Sequence, residues 1–181
     1  IVKGKAGSPY AIKDYYDVDP DLATDVPGRM KEFENLVSRT HRAGLKVIID
    51  FVPNHVARQY HSDMQPDGTV ELGANDDPNY AFSPYNNFYY IPQSELHGQF
   101  DMTGSAAEPY RESPAKATGN NRFDAYPNIN DWYETIKLNY GVDYQNGGTC
   151  CFSPIPDTWM KMLDILLFWA SKRIDGFRCD M

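Results

Sequence analysis

Three charged residues lie where two predicted strands end, and their types and spacing could form a reactive carboxylate cluster. Asp50 interrupts the largely apolar stretch Leu45–Val52, whereas Arg178 and Asp180 lie two residues apart in the closing stretch Ile174–Met181. Side chains alternate along a strand, so Arg178 and Asp180 project to the same side. A carboxylate among apolar neighbours needs a cation. The spacing therefore predicts a contact between the carboxylate of Asp50 and the guanidinium of Arg178.

Such a cluster is compatible with catalysis and with a purely structural ion pair. A carboxylate kept ionised by a neighbouring arginine can act as a nucleophile. Ion pairs that only end a strand use the same residue types. From the residues alone, Asp180 is either a nucleophile or a structural partner of Arg178.

Two helix–strand units would position these charges. Apolar residues recur at helical spacing over Gly28–Ala43, and Gly44 is expected to end this helix before the strand that starts at Leu45. A second apolar stripe predicts a helix over Asp157–Ser171, with Asp157 as its N-cap, directly before the closing strand. This alternation predicts an α/β fold with parallel strands.

The first of these strands is predicted to be buried and to end in a polar loop. Its apolar residues suit a parallel strand covered by helices, so Asp50 is expected among apolar neighbours. Pro53 cannot donate a ladder hydrogen bond, and strand pairing is therefore expected to stop there. Asn54 and His55 are expected on the loop that follows.

About a hundred residues separate the first strand from the second helix. Residues 57–156 are rich in Tyr, Asn, Gly, Pro and Asp and have no long helical stripe. A structureless loop of this length is rare in a compact domain, so the segment is predicted to have a small fold of its own. Its aromatic run Tyr85–Tyr90 fits either a ligand-binding platform or the packing of a small irregular core.

Two motifs carry a resemblance to a known family: Asp50-Phe-Val-Pro-Asn54-His55 and Gly176-Phe-Arg178-Cys-Asp180. They resemble the first and second sequence signatures of the α-amylase family, family thirteen of the glycoside hydrolases. Pro9-Tyr10-Ala-Ile-Lys-Asp14-Tyr15, upstream of both, is also similar to the family pattern. The resemblance covers nearly the whole chain.

The family resemblance implies a fold. It implies part of a TIM (β/α)8 barrel, about strands 3 and 4 with their preceding helices, interrupted by the long irregular insertion called domain B. The barrel parts would be residues 1–56, with a loop, a helix and strand 3, and residues 157–181, with a helix and strand 4. Residues 57–156 would be the insertion.

The resemblance also implies a role for each site residue. Asp180 would be the nucleophile, Arg178 would position it, and Asp50 would hold Arg178. His55 would hydrogen-bond sugar hydroxyls, and Tyr10 would stack on the sugar ring at the cleavage site. Taken alone, His55 is more simply a loop histidine, and Tyr10 is one of 13 tyrosines.

A calcium site is a further implication. The segment from Phe123 to Trp132 resembles the short signature near the end of domain B, with Asn128 where that pattern commonly has Asp. Asn54 and Asn128 would then be calcium ligands, although the missing carboxylate lowers the charge of the site. No organic cofactor is expected.

The expected activity is that of a retaining α-glucan hydrolase of the α-amylase type, which cleaves starch-like polysaccharide or oligosaccharide through a covalent glycosyl-enzyme intermediate. A transglycosylase of the same family and a noncatalytic carbohydrate-binding relative are the alternatives. The family's general acid and transition-state stabiliser would lie beyond Met181. The chain is therefore expected to lack the rest of the barrel and to be inactive alone.

Composition narrows the partners. The net charge of −8 disfavours nucleic-acid binding, and no apolar run approaches the roughly 20 residues that span a bilayer. The three cysteines, two of them adjacent at Cys150 and Cys151, match neither a disulfide framework nor a zinc spacing and are expected to be free thiols. The start at Ile1 has no signal-like apolar region, and the compartment is left open, a secreted or periplasmic one included.

Overall fold

The structure is a computed structural model that describes residues 2–3, 8–98 and 110–180. Met181, the last residue of the predicted closing strand, and residues 99–109 of the predicted insertion lie outside these ranges. The helices and strands, in chain order, are β1 (Val2–Lys3), β2 (Ile12–Asp14), α1 (Arg29–Arg42), β3 (Ile48–Phe51), β4 (His55–Ala57), β5 (Tyr90–Ile91), β6 (Ala115–Lys116), β7 (Thr135–Lys137), β8 (Val142–Asp143), β9 (Thr149–Cys150), α2 (Asp157–Ser171) and β10 (Gly176–Cys179).

The pair β3 and β10 confirms the predicted parallel pairing. Its register places Arg178 opposite Asp50. Two further backbone hydrogen bonds extend the ladder, since Asp175 N donates to Val47 O at 2.8 Å and Asp180 N donates to Phe51 O at 2.9 Å. Backbone pairing therefore places the two charged strand ends next to each other.

Both predicted helices are present. Gly44 follows α1 with a φ of +76°, the left-handed conformation that ends a helix, as predicted. The predicted N-cap of α2 is wrong, since Pro156 occupies that position and Asp157 is the first helical residue. The carboxylate of Asp157 instead accepts from Asn87 Nδ2 at 2.9 Å and lies 3.1 Å from Lys161 Nζ. These partners draw it away from the helix backbone.

Trp169 of α2 joins the helix to the rest of the core. Its side chain is 1% exposed, and its indole N–H donates to Tyr15 O at 2.6 Å. The Tyr15 hydroxyl in turn donates to Val52 O at 2.5 Å. Phe33 of α1 meets Trp169 edge to face, with ring centroids 5.3 Å apart. One indole thus connects both helices to the loop before α1 and to the end of β3.

The expectation of a fully buried β3 is wrong in this chain. Ile48 is 65% exposed, and Asp50 is also exposed, whereas Phe51 is buried. The reason is topological: β3 pairs only with β10 among the described strands, and its Ile48 and Asp50 face has no covering layer. Asp50 therefore meets water rather than apolar neighbours.

The insertion is anchored by an antiparallel pair. Strand β4 pairs with β7, which places His55 opposite Lys137. The prediction that His55 lies on a loop is therefore wrong, because pairing with Lys137, 82 positions further along the chain, places it in a strand. Deeper in the insertion, Arg58 and Glu112 form a buried ion pair at 2.6 Å.

The aromatic run of the insertion serves mainly as packing. Phe88, Tyr89 and Tyr90 are buried, whereas Tyr85 is exposed. Phe88 and Tyr90 belong to the same hydrophobic cluster as Trp169 of α2. The insertion and the helix–strand units therefore share one core.

The described residues bear on two sequence expectations, one about membrane-spanning helices and one about the cysteines. Neither helix in the described ranges is long and apolar enough to cross a membrane. Cys150, Cys151 and Cys179 are free thiols, as predicted.

We expect Trp169→Ala to reduce the free energy of unfolding by about 3–5 kcal/mol, because it removes a buried indole and leaves Tyr15 O without its donor. Lys31→Ala, at a lysine of α1 whose side chain is 74% exposed, is the control, with an expected change within about 1 kcal/mol. Denaturant unfolding of the full-length gene product measures both. Equal destabilisation by the two substitutions would contradict this account of the core.

Candidate active site

Arg178 bridges two carboxylates at the C-terminal ends of the parallel strands. Its Nη1 lies 3.2 Å from each oxygen of Asp50 and 3.3 Å from Oδ2 of Asp180. The predicted contact between Asp50 and Arg178 is therefore confirmed. The three side chains are between 40% and 54% exposed. The cluster is open to solvent and to a ligand.

The electrostatics of the cluster keep Arg178 charged. Its hydrogen bond to Asp50 raises the pKa of the guanidinium, and the charge of Asp180 and the hydroxyl of Tyr10 act in the same direction. A permanently charged guanidinium can stabilise the ionised carboxylate that a nucleophile requires.

Tyr10 lies beside this cluster through both its side chain and its backbone. The ring is 38% exposed. Its carbonyl oxygen accepts from His55 Nε2 at 3.1 Å. The loop before β2 thus brings Tyr10 close to both His55 and Arg178.

His55 is held in one tautomer by its partners. Because a carbonyl only accepts, the hydrogen lies on Nε2 and points to Tyr10 O, while Nδ1 accepts from Asn54 Nδ2 at 3.0 Å. The side chain is 2% exposed, and this burial lowers the pKa of His55 to about 4, with the charge of Lys137 acting in the same direction. The hydrogen bond to Tyr10 and the charge of Asp180 oppose the shift. His55 is therefore neutral at pH 7.

The pocket around His55 requires a glycine. A Cβ atom on Gly119 would lie 2.9 Å from Cγ of His55 and 2.7 Å from Oγ1 of Thr135. Gly119 N donates to that same threonine hydroxyl at 2.9 Å. Only glycine lets the backbone of the insertion approach the imidazole this closely.

Sequence reasoning did not assign a role to two residues that contact the site. Trp132 lies over His55 with ring centroids 4.3 Å apart, is 38% exposed and has a φ of +50°, unusual for a bulky residue. Lys137 reaches Asn54 from β7. A lone lysine between Ile136 and Leu138 is a sequence signal, but its partner could not be found without the β4–β7 pairing.

The predicted calcium ligands, Asn54 and Asn128, each accept a hydrogen bond within the protein. Asn54 Oδ1 accepts from Lys137 Nζ at 3.1 Å, and Asn128 Oδ1 accepts from the backbone of Asn130 at 2.8 Å. Both oxygens already have donors. Within the described ranges, no group of three or more His, Cys, Asp or Glu side chains could hold a metal ion. An amide oxygen that already contacts an ammonium is a poor ligand for a second cation, so the donors at Asn54 do not favour calcium there.

The lowered pKa of His55 predicts a pH dependence of stability. An ordinary histidine has a pKa of 6.5, so the unfolded chain binds one more proton than the folded chain between about pH 6.5 and 4. The contribution to stability is complete above pH 6.5 and is lost as the pH falls towards 4. From pH 7 to 4.5, we expect His55 to account for a loss of about 2 to 3 kcal/mol.

His55→Gln should remove this component, whereas His61→Gln, at an exposed histidine, should keep it. Urea unfolding of the full-length gene product at pH 7 and pH 4.5 measures the difference. The same pH dependence in wild type and His55→Gln would show that His55 is not held neutral by the fold.

Comparison with known proteins adds a family to this geometry. A family model described as Alpha amylase, catalytic domain, matches residues 3–181. The chain is 29% identical to the amino acid transporter heavy chain SLC3A1 of Homo sapiens and 28% identical to the alpha-glucosidase of Apis mellifera. Each match covers 94% of this chain, but only 20% and 25% of the relative. The chain therefore spans a quarter or less of the length of these curated relatives.

A solved structure supports the same fold. The debranching enzyme from Nostoc punctiforme matches with a TM-score of 0.56 at 21% identity, over 100% of this chain and 28% of that chain. A likeness at this identity shows the fold, here part of a TIM barrel. Because the family model also covers nearly every residue, the chain belongs to the alpha-amylase family.

Proposed function

We propose that this chain carries the nucleophile of a retaining glycoside hydrolase that cleaves the α-glucosidic bonds of starch-like glucans. The observation that supports this most directly is the bridge of Arg178 between Asp50 and Asp180, at the C-terminal ends of two parallel strands. Active sites of (β/α)8 barrels form at this end. The glycosidase relative from Apis mellifera is consistent with this chemistry.

In the proposed reaction, Asp180 attacks the anomeric carbon of the sugar. Arg178 donates to Oδ2, so Oδ1 is the oxygen assigned to the attack. A bond forms between Oδ1 and the anomeric carbon, and the bond from that carbon to the leaving oxygen breaks. Water then hydrolyses the glycosyl-enzyme intermediate. Asp50 positions Arg178 and does not touch the substrate.

The leaving oxygen must receive a proton from a second carboxylic acid. Asp50 is unsuited to this role because both of its oxygens already accept from the guanidinium of Arg178. The match covers only 25% of the alpha-glucosidase from Apis mellifera. We expect the proton donor to lie in the part of the full-length gene product that corresponds to the remainder of that relative.

Substrate binding is assigned to the residues that surround His55. The partly exposed ring of Trp132 packs against His55, and Tyr10, whose carbonyl accepts from His55, also has a partly exposed ring. Such rings can pack on the apolar face of a sugar. His55 itself has a protein partner on each ring nitrogen. Its proposed contact with a sugar hydroxyl therefore requires the ligand to share the Nε2–H with Tyr10 O.

Two alternatives remain in view. In a transglycosylase, an acceptor hydroxyl replaces water in the second step, and analysis of products with and without an acceptor sugar separates the two enzymes. A noncatalytic role is the other alternative, since the relative SLC3A1 is named as a transporter chain rather than as an enzyme. The presence of Tyr10, His55, Arg178 and Asp180 in one cluster favours catalysis.

We expect Asp180→Asn in the full-length gene product to lower kcat on soluble starch by about 10⁴-fold or more, because it removes the nucleophile at nearly constant shape. Glucan affinity should change little. Release of reducing ends and equilibrium binding of a maltooligosaccharide measure the two quantities.

Asp67→Asn is the matched control at an exposed aspartate of the insertion, and its activity should equal that of the wild type. Retained activity in Asp180→Asn would move the nucleophile to another residue. An inactive wild type that still binds the oligosaccharide would favour the noncatalytic alternative.

Residues 1–181 expressed alone should not cleave starch, because the proton donor is missing from the proposed site and a general acid contributes about 10²- to 10⁴-fold by itself. The open face of β3 and the exposed Leu163 and Leu167 of α2 should also cause self-association or binding of a hydrophobic dye. Size-exclusion chromatography, dye fluorescence and a reducing-end assay test this. A monomeric, cooperatively melting and active piece would show that the acid lies within these residues.

A further inference from the structure

Lys137 is a buried lysine whose position the proposed chemistry does not explain. It is the last residue of β7, lies opposite His55 and is 6% exposed. Its Nζ donates to Asn54 Oδ1 at 3.1 Å and lies 5.2 Å from the ring centroid of Tyr144. A lysine is rarely buried without such partners, since an ammonium in the interior needs hydrogen-bond acceptors or an aromatic face.

The acceptor, Asn54, connects the end of β3 with the insertion. Its Nδ2 donates to Gly119 O at 2.9 Å and to His55 Nδ1 at 3.0 Å, and its backbone oxygen accepts from Leu138 N at 3.0 Å. The side chain is therefore fixed by donors and acceptors at both ends. The ammonium of Lys137, which donates to Oδ1, completes the hydrogen bonds of the Asn54 side chain.

A bound divalent cation and the ammonium would compete for the same oxygen. Calcium lies about 2.3–2.6 Å from its oxygen ligands and needs six to eight of them, mostly carboxylates and carbonyls. The ammonium already lies 3.1 Å from Asn54 Oδ1, and two cations on one oxygen repel each other. A single charge with three donors is satisfied by fewer partners, here an amide oxygen and an aromatic face.

We propose that the ammonium of Lys137 is the built-in cation of this junction and performs the structural task that a calcium ion at Asn54 would perform. It holds Asn54 in the orientation that joins the end of β3 to the insertion and that fixes the tautomer of His55. The junction consequently needs no divalent ion. This inference does not depend on the proposed hydrolase activity.

Thermal unfolding of the full-length gene product tests the inference. Lys137→Met keeps the aliphatic stem but leaves Asn54 Oδ1 without its donor, and it should lower the melting temperature by about 3–8 °C. Lys31→Met, at a lysine whose side chain is 74% exposed, is the matched control and should change it by less than about 1 °C.

A second variant, Lys137→Asp, tests whether calcium can take the place of the ammonium. It exchanges the ammonium for a carboxylate beside Asn54, so calcium chloride should raise the melting temperature of this variant, relative to EDTA, by several degrees more than it does for wild type. The inference is overturned if Lys137→Met melts like Lys31→Met. It is equally overturned if wild type and Lys137→Asp respond to calcium to the same extent.

Discussion

The parallel register of β3 and β10 is the constraint on which the candidate site depends. It sets Arg178 opposite Asp50, and Asp180 lies one step past the end of the ladder with its backbone N–H bonded to Phe51 O. A shift of one residue would turn Arg178 to the other face of the sheet. Because the backbone fixes this geometry, the carboxylates can remain partly exposed without losing their alignment.

A second, antiparallel pair gives the site its other wall. Strands β4 and β7 join the start of the insertion to a segment near its end, and His55 lies in this pair rather than in the parallel one. His55 nevertheless contacts Tyr10 from the loop before β2 and Trp132 from the insertion. The buried imidazole thus connects the barrel part with the insertion. In its neutral form it donates one hydrogen bond and accepts another, and it carries no charge to be compensated.

The sequence allowed the parallel half of this arrangement to be predicted and concealed most of the antiparallel half. Helical periodicity and the spacing of Asp50 and Arg178 are local signals, so α1, α2 and the ion pair could be inferred. The strand position of His55, the role of Lys137 and the loss of the Asp157 cap depend on partners far away in the chain. The prediction that β3 is buried was wrong for another reason. An apolar strand sequence indicates that the strand needs a covering layer, but it does not show that this layer lies within the chain.

Because the cluster of Asp50, Arg178 and Asp180 is exposed, the backbone pairing of β3 and β10, rather than the energy of its ion pairs, aligns it in this chain. Arg178 and both of its carboxylate partners lie at least 40% exposed, and in water such pairs are screened and stabilise little. In the proposed enzyme, the same contacts would strengthen where neighbouring strands and a bound sugar exclude water, since Coulomb interactions grow as the local dielectric falls. The strands therefore align these side chains in advance, and under the proposed function the ion pairs would gain electrostatic strength once surrounding protein and substrate exclude water.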